Sequence, residues 1–158
     1  MIYNAADNPD NELDFGDMDN RFFLIGLLNG FMNRFQTAGD TFFKEISWKQ
    51  CFLLICIRYF KQPPTLKELS ALMGSSHQNI KQMLLKLEKA GFVKLMPDES
   101  DKRKHRITLT EKTNEFNERN EEPSKKFMNQ LFKDVDEQKL ATTIETIIQL
   151  DSQLQKMK

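Results

Sequence analysis

The segment TLKELSALMGSSHQNIKQMLLKLEKAGFV, residues 65–93, holds two short helical patterns separated by a glycine. Thr65 is a favourable N-cap residue, and Glu68 three positions later completes a capping box, so the first helix is predicted to begin here. Gly74 favours the left-handed turn that ends it. Ser76 then predicts the cap of a second helix. Two short helices joined by a turn of about three or four residues predict a helix-turn-helix.

The second helix, which Gly91 closes, has one apolar and one polar face. The apolar positions recur at helical spacing and are Ile80, Met83, Leu84 and Leu87. The polar face carries His77, Gln78, Asn79, Lys81, Gln82 and Lys86. These side-chain types pair with base edges and phosphates, whereas an ordinary solvated helix face more often mixes acids with bases. This face, together with the capping residues Thr65 and Ser76, predicts a surface that contacts double-stranded DNA.

Two stretches after this helix, FVKLM and HRITLT, predict a pair of strands, with Ile107 and Leu109 on one face of the second. A β-hairpin that directly follows a helix-turn-helix is a wing. The segment between the strands, DESDKRK at residues 98–104, would be the tip of that wing.

The basic residues of this tip are expected to contact a neighbouring groove of the same DNA. They are Lys102, Arg103 and Lys104. Arg103 is expected to enter the minor groove, because narrow A·T tracts concentrate negative potential there. Asp101 would accept hydrogen bonds from the Arg103 guanidinium and hold it in one orientation.

The chain has no net charge, but its charge is unevenly distributed. Residues 1–20 contain six acids and no Lys or Arg, whereas residues 75–112 contain nine Lys or Arg and five acids, a net charge of +4. The basic segment is either an ordinary solvated face or a polyanion-binding surface, and its position around the helix-turn-helix favours the second.

The helix-turn-helix is flanked by further helical patterns. One begins near Met18, carries a wide apolar stripe and is expected to end at Gly39-Asp40. Ser47 predicts the cap of the next helix, Trp48 to Phe60, which is apolar nearly all round.

Beyond Thr110, a long helix is expected to be interrupted by a kink near Pro123, and Asp136 is expected to cap the last helix. The apolar stripe of this last helix consists of Leu140, Ile144, Ile147, Leu154 and Met157. The stripes of the first and last helices are either packed within the chain or buried across a two-fold axis. Too little chain remains to cover both, so a homodimer is the more economical interpretation.

The span from about Asn20 to Phe116 resembles the winged helix-turn-helix of the multiple-antibiotic-resistance regulator (MarR) family. ISWKQCFLL matches the start of that family's second helix, residues 65–93 match its helix-turn-helix, and DESDKRKHRITLTEK matches its wing. Asp101 and Arg103 fall in register with the closing Leu109-Thr110. The resemblance implies a homodimeric transcriptional regulator, usually a repressor, that is often released by a small phenolic or carboxylate-bearing ligand.

In this architecture a pocket for such an aromatic or carboxylate effector can open between the dimerisation helices and the helix-turn-helix. The residues expected near it are Arg34, Phe35, Trp48, Cys51, Phe52 and Phe116. Aromatic stripes are mostly packing, so ordinary core at a helix junction is the alternative interpretation.

Catalysis, cofactors and metal binding are not predicted. The two histidines lie in the basic segment, and neither a Gly-rich phosphate loop nor a nucleophile motif is present. Cys51 and Cys56 lie in one apolar run, which favours reduced core thiols over a disulfide framework. The longest apolar run, Cys51 to Ile57, is far shorter than a membrane-spanning helix, and we expect a cytoplasmic protein without membrane contact.

The predicted fold is therefore mainly α with a small β-hairpin wing: a winged helix-turn-helix with N- and C-terminal dimerisation helices. The predicted parts are a flexible acidic arm at 1–17, a dimerisation helix and loop at 18–46, the winged helix-turn-helix at 47–112 and C-terminal helices at 113–158. The predicted function is a ligand-responsive repressor that binds an A·T-rich pseudo-palindromic operator as a homodimer. The alternative is a winged-helix module that binds proteins, for which an exposed Leu85 would be the main argument.

Overall fold

A computed structural model describes residues 2–3, 13–14, 16–98, 101 and 104–157. The chain divides into two compact units, Met1–Thr110 and Glu111–Lys158. The first unit contains β1 (Ile2–Tyr3), β2 (Leu13–Asp14), α1 (Asn20–Phe42), α2 (Trp48–Tyr59), α3 (Leu66–Leu72), α4 (His77–Lys89), β3 (Val93–Pro97) and β4 (His105–Leu109). The second contains α5 (Glu111–Leu131) and α6 (Glu137–Lys156). A mainly helical chain with a two-stranded wing is confirmed.

The core of the first unit lies where α2, α3 and α4 meet the wing. Its fully buried side chains come from every one of these elements: Leu53, Leu69, Ile80, Leu84, Leu87, Phe92, Val93 and Ile107. The strands β3 and β4 are antiparallel, with Leu95 opposite Ile107. Alternation along β4 directs Ile107 into the core, as the sequence pattern predicted.

The predicted helix starts are confirmed by their caps. The Ser47 hydroxyl accepts from the Gln50 amide, and the Gln50 side chain accepts from the Ser47 amide, which completes a capping box for α2. In the second unit, the Asp136 carboxylate accepts from the Lys139 amide at 2.9 Å. Each bond satisfies an amide that the first turn of a helix leaves without an internal partner.

One predicted helix boundary is wrong. The first helix does not end at Gly39-Asp40, because α1 continues to Phe42. Gly39 is buried instead, and a Cβ atom built on it would lie 2.8 Å from Cβ of Trp48. The glycine provides space for Trp48, whose amide donates to Asp40 Oδ1 at 2.6 Å. Pro123 lies inside α5, which runs from Glu111 to Leu131 as one helix, and a kink at this proline stays a prediction.

The predicted acidic arm at 1–17 lies mostly outside the described residues. In that part the structure describes an antiparallel pairing in which Ile2 is opposite Asp14 and Tyr3 is opposite Leu13. None of the helices in the described part of the chain is both long enough and apolar enough to cross a membrane.

The contact of Gly39 with Trp48 predicts opposite effects of alanine at two glycines of α1. Gly39→Ala should lower the free energy of unfolding by about 1–3 kcal/mol, because the new methyl group overlaps the tryptophan. Gly26→Ala is the matched control: its Cβ would meet nothing within 4 Å, so it should raise the stability by about 0.5–1 kcal/mol. Urea unfolding followed by Trp48 fluorescence, at one protein concentration, measures both. Equal stabilities for the two variants would contradict the close approach.

Candidate nucleic-acid interface

The two helices of the helix-turn-helix are fixed by side chains at their first turns. Thr65 Oγ1 accepts from the Glu68 amide at 3.3 Å, and the Glu68 carboxylate accepts from the Thr65 amide at 2.7 Å. Ser76 Oγ accepts from the Asn79 amide at 3.2 Å at the start of α4. Gly74 between the helices has φ +56°, the left-handed region that its sequence position predicted.

α4 has the two faces that its sequence predicted. Ile80, Leu84 and Leu87 are buried in the core, and Met83 is half-buried. The opposite face is exposed and consists of His77, Gln78, Asn79, Lys81, Gln82, Leu85 and Lys86. One side chain of this face takes part in a local hydrogen bond: Asn79 Nδ2 donates to Ser75 Oγ at 3.4 Å. The face can therefore present hydrogen-bond donors and acceptors to another molecule.

The backbone amides of the wing attach it to α4 and to the segment before α3. The Leu95 amide in β3 donates to Glu88 Oε1 of α4 at 3.1 Å. The Ile107 amide in β4 donates to the Pro64 carbonyl at 2.9 Å, and Arg106 forms an isolated antiparallel bridge with Thr65. The segment before α3 thus extends the wing sheet by one short strand-like contact.

An open groove of about 930 Å³ lies between the start of α3, α4 and the wing. Its apolar floor includes Leu84, Leu85, Leu95 and Ile107. Its charged and titratable lining residues are Lys67, Glu68, His77, Lys81, Lys104, His105 and Arg106. Four Lys or Arg side chains and one carboxylate line the groove. Arg106 is paired with Asp98 and Glu68, and Lys104 with Asp101, so Lys67 and Lys81 supply the excess positive charge that attracts anions.

The structure brings several of the predicted DNA-contact residues to this one surface. Lys81 and Lys104 line the groove together with His77, while Gln78, Asn79, Gln82 and Lys86 are exposed on α4. Thr65 and Ser76 serve as helix caps, so their hydroxyls already have partners. Lys102 and Arg103 lie outside the described residues. The predicted pairing of Asp101 with Arg103 is therefore untested, and Asp101 Oδ2 lies 3.4 Å from Nζ of Lys104.

Sequence reasoning missed three residues of the groove: Lys67, His105 and Arg106. Lys67 lies in the first turn of α3, outside the basic segment 75–112. His105 and Arg106 lie in the basic segment 75–112 but were assigned to a strand and not to the DNA-contact residues. Alternation along β4 was a usable signal for Arg106, because Ile107 points to the core and its neighbour must therefore point away from it.

Three of the six residues predicted for an effector pocket, Phe35, Trp48 and Phe52, form an aromatic cluster at the junction of α1 and α2. The ring of Trp48 lies edge-on to Phe35, with centroids 4.7 Å apart, and is stacked on Phe52 at 6.2 Å. Cys51 is buried, and Arg34 is exposed on α1. Phe116 belongs to the second unit, where it is one of the two buried residues of α5.

Both cysteines are free and buried, in agreement with the prediction of reduced core thiols. Burial raises the pKa of Cys51 to about 11 and also raises the pKa of Cys56. The Cys56 thiol lies 3.7 Å from the Met73 sulfur. Because the thiolate is the reactive form, neither thiol is activated for redox chemistry at neutral pH.

Residues 46–105 match the sequence model of the MarR family. This segment is therefore similar in sequence to the winged helix-turn-helix of that family. It begins just before the Ser47 cap and includes the capping box of α3, all of α4 and β3. No curated protein sequence matches the chain.

Solved structures of MarR proteins have the same fold over most of the chain. A MarR protein from Peptoclostridium difficile superposes with a TM-score of 0.74 at 21% identity, covering 93% of this chain and 95% of that one. Streptococcus pneumoniae FabT, solved in complex with DNA, has a TM-score of 0.65 at 19% identity, with 89% of this chain and 100% of FabT covered. S. aureus MepR, also solved as a DNA complex, has a TM-score of 0.71 at 15% identity, with coverages of 80% and 95%. The likeness therefore extends well beyond residues 46–105 and includes the flanking helices.

Proposed function

We propose that this chain is a transcriptional regulator that binds double-stranded DNA through α4 and the wing. One observation carries the proposal: the exposed amides and lysines of α4 lie beside a groove lined by four Lys or Arg side chains and a single carboxylate. Amides and cations side by side suit both base edges and phosphates. FabT and MepR, which have the same fold, were each solved with DNA, and this supports the proposal.

The side chains of α4 favour an A·T-rich operator. Gln78, Asn79 and Gln82 carry amides, whose paired donor and acceptor match the N6 and N7 edge of adenine. A two-fold symmetric protein places two copies of α4 on one side of the duplex, about one helical turn, roughly 10 base pairs, apart. The proposed site is a pseudo-palindrome with that spacing, and occupancy of such a site near a promoter would make the protein a repressor.

A protein-interaction module is the alternative function. Leu85 supports it, because 43% of this apolar side chain is exposed on the otherwise polar face of α4. A single leucine among six polar and basic neighbours is a small apolar area for a protein interface, whose centre is depleted of charge. DNA binding is therefore the better-supported function.

We also propose that α1 and α6 form a homodimer interface. Phe22 of α1 is 74% exposed, and Ile144 and Leu154 of α6 are 51% and 61% exposed. Each of the two helices carries several such side chains along one stripe, more apolar surface than a monomer ordinarily leaves in water. A second copy of the chain would cover both stripes and supply the second α4 that a pseudo-palindrome requires.

DNA binding is tested by substitutions that remove different kinds of contact. Asn79→Ala should weaken binding to a duplex selected by the wild-type protein by about 1–3 kcal/mol and reduce discrimination against base changes. Lys81→Ala should weaken binding to selected and scrambled duplexes alike and lower the slope of log K against log salt by about one, because one phosphate contact is lost. Fluorescence anisotropy at several salt concentrations measures both.

Lys125→Ala is the control for these variants, because this lysine lies on α5 in ion pairs with Glu121 and Glu122 and does not line the groove. It should leave affinity and salt slope unchanged. If Asn79→Ala and Lys81→Ala behave like the control on every duplex, DNA binding through α4 is wrong and the protein-interaction function takes its place.

The dimer is tested by placing one glutamate on either face of α6. Ile144→Glu should shift the dimer toward monomers in analytical ultracentrifugation at micromolar concentration, because a carboxylate in an apolar interface is desolvated without a partner. Gln149→Glu introduces the same side chain on the polar face and should leave the dimer intact. Equal sedimentation of both variants would contradict an interface on the apolar stripe of α6.

Ligand response is tested with the single tryptophan of the chain. If the cluster at the junction of α1 and α2 forms an effector site, a phenolic carboxylic acid at millimolar concentration should quench Trp48 fluorescence and weaken DNA binding over the same concentration range. Arg34→Met should weaken both responses, since the guanidinium is the charged group expected near the carboxylate. A DNA affinity unaffected by saturating acid would leave a regulator controlled by its abundance.

A further inference from the structure

Arg106 in β4 joins three parts of the first unit through one guanidinium. Its Nε lies 2.5 Å from Oδ2 of Asp98 at the end of β3. Its NH1 donates to the Pro63 carbonyl at 3.1 Å and lies 3.6 Å from Oε2 of Glu68 at the start of α3. The wing, the α2–α3 connection and the first turn of α3 therefore all depend on one side chain.

Asp98 connects this guanidinium to the wing tip. The aspartate is only 5% exposed, and its other carboxylate oxygen, Oδ1, accepts from the Asp101 amide at 3.0 Å. Its own amide donates to the Lys104 carbonyl at 3.0 Å. A nearly buried carboxylate depends on its partners for its charge, so loss of Arg106 would disturb both ends of the tip.

Glu68 connects the same guanidinium to α3. Its carboxylate accepts from the amide and hydroxyl of Thr65, both at 2.7 Å, and these bonds, followed by the charge of Arg106, lower the pKa of Glu68. Because Thr65 also pairs with Arg106 through the backbone, the start of α3 and β4 are held together at two points. The position of the wing relative to α3 is thus set by directional bonds.

We infer that Arg106 is a positioning residue, which holds the end of β3 at Asp98 and the strand β4 against the start of α3, so that the wing and α4 engage DNA at the same time. The effect on DNA binding rests on the proposed function. The effect on the wing rests on the contacts of Arg106 with Asp98, Pro63 and Glu68. Arg106 lines the groove, but its guanidinium is already engaged by two carboxylates and a carbonyl. Its contribution to binding is therefore geometric, unlike that of Lys67, which is exposed on α3 in the same groove.

The test compares three substitutions in the full-length protein. Arg106→Lys keeps the charge, but a single ammonium lacks the planar fork of the guanidinium and cannot reproduce its contacts with both Asp98 and Pro63. Arg106→Met removes the charge and keeps much of the apolar stem. Lys67→Met removes one charge from the same groove and leaves the Arg106 contacts intact. Far-UV circular dichroism verifies that each variant is folded. If Arg106→Met does not fold, Glu68→Gln provides a milder change, because it weakens only one contact of Arg106.

The first measurement is amide hydrogen exchange without DNA. In both Arg106 variants the amides of Asp98, Lys104 and Ile107 should exchange about tenfold faster or more, while the amides of Leu84 and Leu87 in α4 keep their wild-type rates. Lys67→Met should leave all of these rates unchanged, and Glu68→Gln should accelerate Ile107 alone or all three by a smaller factor. Wild-type rates at the wing in both Arg106 variants would overturn the inference.

The second measurement is DNA affinity as a function of salt. Arg106→Lys and Arg106→Met should weaken binding to the selected duplex by a similar factor, about tenfold, whereas Lys67→Met should mainly lower the salt slope by about one. Full affinity in Arg106→Lys with a loss only in Arg106→Met would show that charge alone matters and would overturn the positioning role. The two measurements can also disagree. If the Arg106 variants show faster exchange at the wing but the wild-type protein binds no DNA, Arg106 still positions the wing and the proposed function is wrong.

Discussion

A helix of seven residues has too few internal hydrogen bonds to form on its own, and α3 is such a helix. Its existence depends on the reciprocal capping bonds of Thr65 and Glu68 at one end, the left-handed Gly74 at the other, and the burial of Leu69 between them. α4 packs on α3, so the direction in which its polar face points depends on the same few bonds. The wing then attaches to α4 through Leu95 and to the segment before α3 through Ile107. The surface formed by α4 and the wing is thereby built from short elements, none of which is stable alone.

Features whose cause is local in the sequence could be predicted. A cap is an interaction over three residues, so Ser47, Thr65, Ser76 and Asp136 were identified correctly from their own neighbourhoods. The two turn glycines, Gly74 and Gly91, were predicted for the same reason, and both have positive φ.

Features whose cause lies elsewhere in the chain were missed. Gly39 was predicted to end its helix, but it lies inside α1, where a larger residue would collide with Trp48. That contact forms only when α2 packs against α1, so the local sequence could not reveal it. Arg106 was assigned correctly to a strand, but its contacts were not predicted, because its partners Pro63 and Asp98 lie 43 and 8 positions away. In each case a residue type with several structural uses was assigned the commonest one.

The two faces of α4 are chemically independent. Ile80, Leu84 and Leu87 hold the helix in the core, and the caps of α3 and α4 hold its start, while Gln78 and Gln82 are exposed and contribute to none of these contacts. Exposed substitutions away from caps and core usually change stability by no more than about 0.5 kcal/mol. Mutations at these positions can therefore accumulate without unfolding the protein. During evolution, the chemical character of this exposed face can diverge rapidly between descendants, while the scaffold itself is preserved.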